Sequence, residues 1–536
     1  MHRSLSSFWA RTQPKKRTAA RMRLRLEGLE DRTVPSITFS GPGNSGMAAI
    51  TGTPGPDVFV IQLKPGDATT VELSDDGGQH FTDATLSGIT GIEVDGLGGA
   101  DRLRLNEGNG LVATPSGLPI TFNGGHGYNV LGVRGDPGVS VSETLSAGDG
   151  PYESTLAMTD GASSATIALH HINHIFDISK ADSLTVNAGN HNNFIHIGFG
   201  LVPIEGVTTN TIRGLDFSRI DDNGGQEDPG DMVGDGSDAA GGNNDDNHGE
   251  NNPFELQLSR AFTPITYANK TNVTVNGLGG DDFFLVNVHH AATGEQSLTL
   301  DGGAGFNVAA IRHFPDNITL TLENINRTVN DPGSIFIHEL YESALGRPTE
   351  DAALAGWVQF LNTQGPAAVV SAIETSTEAR LDLVRQLYVH YLGRMPGDGE
   401  AMGWVTALSN GMAEEQVISD FLASDEFAQR AQQMFSASSG IQSFVQGLFQ
   451  VALNRAPSDI ELTGWTLGVA LLGRATAANS FVGAPEFRLN TISALYTTVL
   501  HRLPDAAGLN GWLASGLSFH DIRLAILGSA EAMANG

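Results

Sequence analysis

Val273-Thr-Val-Asn-Gly-Leu-Gly-Gly-Asp-Asp-Phe-Phe-Leu285 alternates β-branched with polar residues, breaks at a glycine-rich turn and resumes as an apolar run. A period of two marks a strand with one buried face, and Asn-Gly followed by paired glycines marks a tight turn. The same wording recurs at residues 92–105, 120–131 and 298–308, with a weaker copy at 184–195. From Ile37 to about Thr328 the chain therefore reads as all-β. The residue closing the first strand steps by 28 from Asp95 to Asn123 and by 25 from Asn276 to Asp301. Spacing of that length fits one turn of a parallel β-helix or solenoid. A two-sheet β-sandwich is the alternative.

The turns resemble the calcium-binding nonapeptide of RTX proteins, G-G-x-G-x-D, in which turn backbone and an Asp carboxylate share a cation between stacked rungs. Gly124, Gly125, Gly127 and Asn129 follow it with Asn for Asp, as do Gly302, Gly303, Gly305 and Asn307. Gly96, Gly99 and Asp101, and Gly277, Gly280 and Asp282, follow it with Leu97 and Leu278 at the second glycine; Gly52, Gly55 and Asp57 form a partial copy. The resemblance implies calcium as the cofactor, with Asp57, Asp101, Asn129, Asp282 and Asn307 as ligands. In that family the copies run in tandem, whereas here they stand about 25 residues apart. The other reading is that glycine supplies positive φ at the turns while Asp and Asn cap them.

After Pro332 the period becomes 3.6 and one pattern appears four times, with an aromatic residue six positions before an Arg and a Trp ten positions after it. The copies hold Tyr341, Arg347 and Trp357; Tyr388, Arg394 and Trp404; Phe449, Arg455 and Trp465; and Tyr496, Arg502 and Trp512. Val384, Leu387, Tyr388, Tyr391 and Leu392 form an apolar stripe on the first helix of the second copy. The Gly before each Trp is expected to admit a close helix approach beside a buried ring. A recurring Glu (378, 426, 486, 531), assigned to the end of a third helix, is expected to pair with the Arg and hold that helix on the first. The pattern LYxxxLGRxPDxxGxxxW is similar to a bacterial helical domain of unknown function found in secreted, repeat-bearing proteins. That likeness implies location and modularity but brings no established chemistry, so no catalytic role is carried over from it.

The chain carries a formal charge of −30, yet residues 1–32 hold nine basic against three acidic residues. An acidic body excludes nucleic acid as a partner, because phosphate contacts need clustered Lys and Arg. Residues 1–36 lack the continuous apolar stretch of a Sec signal. Their Leu26-Glu-Gly-Leu-Glu-Asp-Arg-Thr-Val-Pro-Ser36 resembles the N-terminal segment of large planctomycete surface proteins, which implies export. No apolar run reaches the length of a transmembrane helix, and with no cysteine the fold stands on packing or bound ions. Residues 221–252 carry ten acids without a single base and read as a solvated, disordered loop, lacking EF-hand spacing. His170, His171 and His174 are expected on one strand, the first and last on the same face.

These readings divide the chain into a basic export-type segment (1–36), a glycine-rich β region (37–220), the acidic loop (221–252), a continuation of the β region (253–330) and an all-α repeat domain (331–536). Neither P-loop, G-x-S-x-G, H-E-x-x-H nor dinucleotide fingerprint is present. The expectation is an extracellular or cell-surface protein of structural, adhesive or scaffolding role, non-enzymatic, stabilised by calcium and meeting surface polysaccharide or protein partners. The alternative is a polysaccharide lyase or hydrolase on a β-helix, using an arginine base or an Asp pair.

Overall fold

A computed structural model describes residues 35–125, 127–148, 150, 153–200, 206–216, 261–347, 349–435, 438–453, 455–500 and 502–535. Residues 35–536 form one compact unit. The basic segment up to residue 34 and the acidic loop lie outside the described residues.

Two large mixed sheets, of eleven and twelve described strands, make the β region. The chain crosses between them in pairs, one strand to each sheet. The first four pairs are Ser45–Thr51 with Val58–Lys64, Ile89–Asp95 with Arg102–Asn106, Leu118–Asn123 with Val130–Arg134, and Ser164–His170 with His174–Asp177. The next four are Ala181–Asn187 with Asn193–Phe199, Lys270–Asn276 with Phe283–Asn287, Ser297–Asp301 with Val308–His313, and Thr319–Glu323 with Arg327–Val329. Within each group of four, every strand lies parallel on its counterpart in the next pair, Val94 opposite Phe122 and Phe122 opposite Leu169, with register shifts at Gly46/Met47 and Val286/Asn287. Between the two groups sit two antiparallel insertions. Ser142–Ala147 and Glu153–Thr159 enter the first sheet, and Asn210–Asp216 and Ile265–Tyr267 enter the second.

Alternation turns Ile50, Val94, Phe122 and Leu169 into the space between the sheets, none more than 1% exposed. Burying a side chain of this size stabilises by about 1.5–3 kcal/mol. The second sheet departs from alternation at Phe283–Asn287, where all five residues are buried. Its outer face there carries Phe283 and Leu285, packed with Val308, Val329 and Ile335, the last from the first helix. The sheet thus has two apolar faces because the helical region covers one of them.

That helix, Pro332–Leu345, starts where Asp331 accepts from the Ser334 N–H and Pro332 fills the first turn, and it stops at Gly346 with φ of 64°. The helical region runs on through Asp351–Gln364, Pro366–Glu374, Thr377–Leu387, Asp398–Ser409, Glu414–Ala423, Asp425–Met434, Gly440–Leu453, Asp459–Val482, Pro485–Val499, Ala506–Ser515, Phe519–Leu527 and Ala530–Asn535. The stripe residues Val384, Leu387, Tyr388 and Tyr391 are buried in one core cluster, with Leu392 packed against it. No helix among the described residues is long and apolar enough to cross a membrane.

Two expectations fail here. The glycines at 356, 403, 464 and 511 have open space where a Cβ would stand, so they admit no close approach, and nothing in the structure explains their recurrence. The three histidines do not share a strand: His170 ends a strand of one sheet, His171 turns the chain at φ of 58°, and His174 begins a strand of the other. A turn hidden inside an alternating apolar run caused the misreading.

Candidate functional site: stacked carboxyl turns and arginine clamps

The glycine-rich turns lie at one edge of the stack, where the chain passes from the first sheet to the second. Asp95, Asn123, Asn276 and Asp301 end their strands in register with the neighbouring pairs. The Oδ1 atoms of Asp95, Asn123 and Asp301 accept the N–H two residues on, which closes each turn. Leu97 and Leu278 adopt φ of 65° and 71°, the conformation that Gly125 and Gly303 take at 63° and 69°. The two leucine turns therefore have the backbone of the two glycine turns, held against the intrinsic preference of the side chain. Two residues further, a Cβ on Gly127 would lie 1.7 Å from the Gly99 carbonyl oxygen, so only glycine allows the turns to stack.

Six residues after each strand end comes the predicted ligand, and all five predicted ligands belong to a ladder. The Asp57 N–H donates to Asp101 Oδ1 at 2.8 Å, the Asp101 N–H to Asn129 Oδ1 at 2.9 Å, and the Asn129 N–H to Asn173 Oδ1 at 2.7 Å. A second ladder runs from Asn193 to Asp282 at 2.9 Å, Asp282 to Asn307 at 2.9 Å and Asn307 to Asn326 at 2.6 Å. The structure thus brings Asp57, Asp101 and Asn129 together in one file and Asp282 and Asn307 in another. Asn173, Asn193 and Asn326 were missed. Asn193 stands six residues after Asn187 and was legible by offset; Asn173 and Asn326 close shorter turns, His171-Ile-Asn173 and Asn324-Ile-Asn326, whose shared wording is the signal.

Asp and Asn differ at the second terminal atom. Asn129 Nδ2 donates to the carbonyls of Gly125 at 3.1 Å and His171 at 3.2 Å, and Asn193 Nδ2 to those of Gly189 at 3.0 Å and His191 at 2.6 Å. The corresponding Oδ2 atoms of Asp101 and Asp282 are buried without a hydrogen-bond partner. Burial raises the Asp101 carboxyl to about 8 and the Asp282 carboxyl to about 6. An acceptor standing where its neighbours have a donor calls for a proton or a cation. Asp57 is satisfied differently, its Oδ2 accepting from the Thr53 N–H at 2.6 Å and hydroxyl at 2.9 Å. No group of three or more metal-ligating side chains exists among the described residues.

Deeper in the stack, Lys270 has no exposed surface and binds Glu143 at 2.5 Å, Asp177 at 2.7 Å and the Ser179 hydroxyl at 2.9 Å. Burial works against its charge, but the two carboxylates more than offset that and raise its pKa. Glu107 is enclosed beside this group with both carboxyl oxygens unpartnered, and burial, added to the charges of Glu143 and Asp177, raises it to about 9. Lys270 was one of only three lysines beyond the basic segment, yet nothing in its local sequence marks it as interior.

In the helical region the expected Arg–Glu pairs form in every copy. Arg347 binds Glu378 at 2.6 Å and 3.1 Å, Arg455 binds Glu486 at 2.7 Å and 2.8 Å, and Arg394–Glu426 and Arg502–Glu531 are likewise bidentate. The Glu does not close a third helix, however. Ser376 and Ser424 cap new helices, and Glu378 and Glu426 sit in their first turns, where a carboxylate also suits the helix dipole. The clamp therefore ties the end of the first helix to the start of a fourth. A further carboxylate joins from Glu350, Glu400 and Glu461 in the first three copies. Each guanidinium also lies 4.8–5.3 Å over the aromatic ring six residues before it. The ring hydroxyl accepts the Trp indole N–H at 2.6 Å, 3.2 Å and 2.9 Å in copies one, two and four, while Phe449 leaves Trp465 without that partner in copy three.

None of the curated proteins matches the chain. Residues 379–431, which span the second copy from its first helix to the clamp glutamate and beyond, match the family described as a domain of unknown function, DUF4214.

Proposed function

We propose that this chain is an exported, cell-surface structural protein of adhesive or scaffolding role, non-enzymatic, and that its β region is a parallel solenoid of two sheets interrupted by two inserted hairpins. The observation that carries this reading is the ladder. Interior Asp and Asn side chains are committed to fixing one turn on the next, which yields a stiff stack with an acidic exterior rather than a convergent set of reactive groups. The planctomycete-like N-terminal segment supports export. The RTX-like turns support weak calcium binding, centred on the unpartnered oxygens of Asp101 and Asp282, with Asp57, Asn129 and Asn307 in the same files. Surface polysaccharide or protein is the proposed partner.

Calorimetric melting of the full chain with rising calcium tests the metal. The expected result is an upward shift of a few degrees at millimolar calcium, removed in the Asp101→Asn, Asp282→Asn double variant. An unchanged melting temperature eliminates calcium and leaves protonation to satisfy the two carboxyls. Fractionation of producing cells tests the address, and retention in the cytosol would refute it. Release of unsaturated or reducing sugars from acidic polysaccharides by the purified chain would overturn the non-enzymatic reading.

A further inference from the structure

Between the helices and the inner strands Asn193–Phe199 and Asn210–Asp216 of the second sheet lies a cavity of about 240 Å³ that the turns and the clamps leave unused. Its wall is largely apolar, with Phe336, Leu340, Leu387, Leu495, Val499 and Phe519 facing it. Five carboxyl side chains line the same space, from Glu339, Glu342, Glu374, Asp382 and Glu414, against the two guanidinium groups of Arg213 and Arg523.

Three of those acids are matched. Arg523 binds both Glu374 and Glu414, and Arg312 pairs with Glu339 from behind the wall. Among the described residues Glu342 pairs only with Arg213, 3.7 Å away, and that guanidinium also donates to His196 Nδ1 at 2.8 Å. Asp382 makes no ion pair among the described residues, and its carboxylate accepts only from the Gln386 amide, at 2.6 Å. Burial raises the Asp382 carboxyl to about 6 and lifts Glu342 above the ordinary carboxylate range. Tyr391 lines the cavity too; it is 3% exposed, and its hydroxyl has no hydrogen-bond partner among the described residues.

A cleft with a largely apolar wall takes an apolar body, and surplus negative charge on that wall selects the sign of the group attached to it. Arg523 is already met by two carboxylates and Arg213 by Glu342 and His196, so among the described residues neither guanidinium of the wall stands free to hold an anion. We propose that it binds a small organic ammonium ion. The apolar part lies against the leucine and phenylalanine side chains, Asp382 and Glu342 receive the ammonium, and the Tyr391 hydroxyl accepts one of its hydrogens. The volume suits a ring or short chain of roughly ten heavy atoms, since an apolar cavity of about 150 Å³ already admits benzene. Asp382 and Tyr391 both belong to the stretch that matches the domain of unknown function, which gives that stretch a chemistry beyond packing.

Titration calorimetry of the full chain with benzylammonium chloride tests this, with benzyl alcohol and benzoate as controls that keep the ring and change the charge. Benzylammonium is expected to saturate one site and to bind at least about tenfold more tightly than either control. Asp382→Asn and Glu342→Gln are each expected to weaken it about tenfold, and Tyr391→Phe, which keeps the ring in place, about threefold. Circular dichroism establishes that each variant is folded; should Asp382→Asn fail to fold, the other two variants decide. Absence of saturable binding at millimolar benzylammonium overturns the proposal. So does equal binding of either control, or an affinity that the folded variants leave unchanged.

Discussion

Asn129 is wholly enclosed and its partners are backbone groups, whereas Arg394 is 39% exposed and its partners are carboxylates. Both recur along the chain and both fasten one repeat element to another. The difference between them is the solvent. In the β region the ladder asparagines have exchanged water for fixed partners, so losing a partner leaves a desolvated atom with nothing to replace it. In the helical region water competes for every clamp and salt screens it, so a clamp specifies geometry more than it contributes free energy. Equal recurrence in the sequence therefore conceals very unequal energetic weight.

Removing the buried cation should separate the two regions most widely. Lys270→Met leaves Glu143 and Asp177 enclosed without their counter-charge, and urea denaturation is expected to show a loss of about 3–5 kcal/mol. Glu107 adds a pH dependence whose sign follows from its raised pKa. Between the ordinary value of 4.5 and about 9 the native state holds a proton that the unfolded chain has released. Stability should therefore fall as pH rises through that window, and Glu107→Gln should flatten the slope.

The ladder comes next. Asn129→Ala is expected to cost about 3 kcal/mol, because it orphans the Asp101 N–H and the carbonyls that its amide serves. Asp101→Asn should instead gain about 1 kcal/mol in calcium-free buffer near pH 8, since it places a donor where a desolvated oxygen now stands. A destabilised Asp101→Asn would mean that the carboxyl has a use the ladder alone does not show.

Smaller effects belong to the clamps. Arg394→Ala and Glu426→Ala should each cost about 1 kcal/mol, with a coupling of about 0.5 kcal/mol that shrinks in high salt; strictly additive losses would mean that the pair contributes nothing. Smallest of all, Phe449→Tyr supplies copy three with the hydroxyl that its three siblings offer to tryptophan. A gain of about 0.5 kcal/mol in melting experiments is expected.

How much of this was legible depends on whether the determinant is local. Strand alternation, the turn glycines and the spacing of aromatic, Arg and Trp are properties of short windows, and they gave the β region, five of the ladder residues and the clamp partners. The glutamate of each clamp was identified although its helix was misassigned: it was placed at the end of a third helix, whereas Glu378, Glu426 and Glu486 stand in the first turn of the next. Lys270 and Glu107 were not legible at all: Glu143 and Asp177, which pair with the first and repel the charge of the second, lie on other strands. The cavity escaped for the same reason, since its wall combines His196 and Arg213 of the sheet with residues of several helices.

The span of chain that each ladder step closes also bears on the order in which the molecule assembles. Most steps join residues close along the chain, 28 apart from Asp101 to Asn129, 25 from Asp282 to Asn307 and 19 from Asn307 to Asn326. The step from Asn193 to Asp282 closes a loop of 89. Loop-closure entropy grows with the logarithm of length, so that step costs about 1 kcal/mol more than its neighbours before any contact rewards it. Among the ladder steps, the joining of Asn193 to the turns beyond it is therefore the costliest closure, and shortening the chain between Asn193 and Asp282 is expected to ease it.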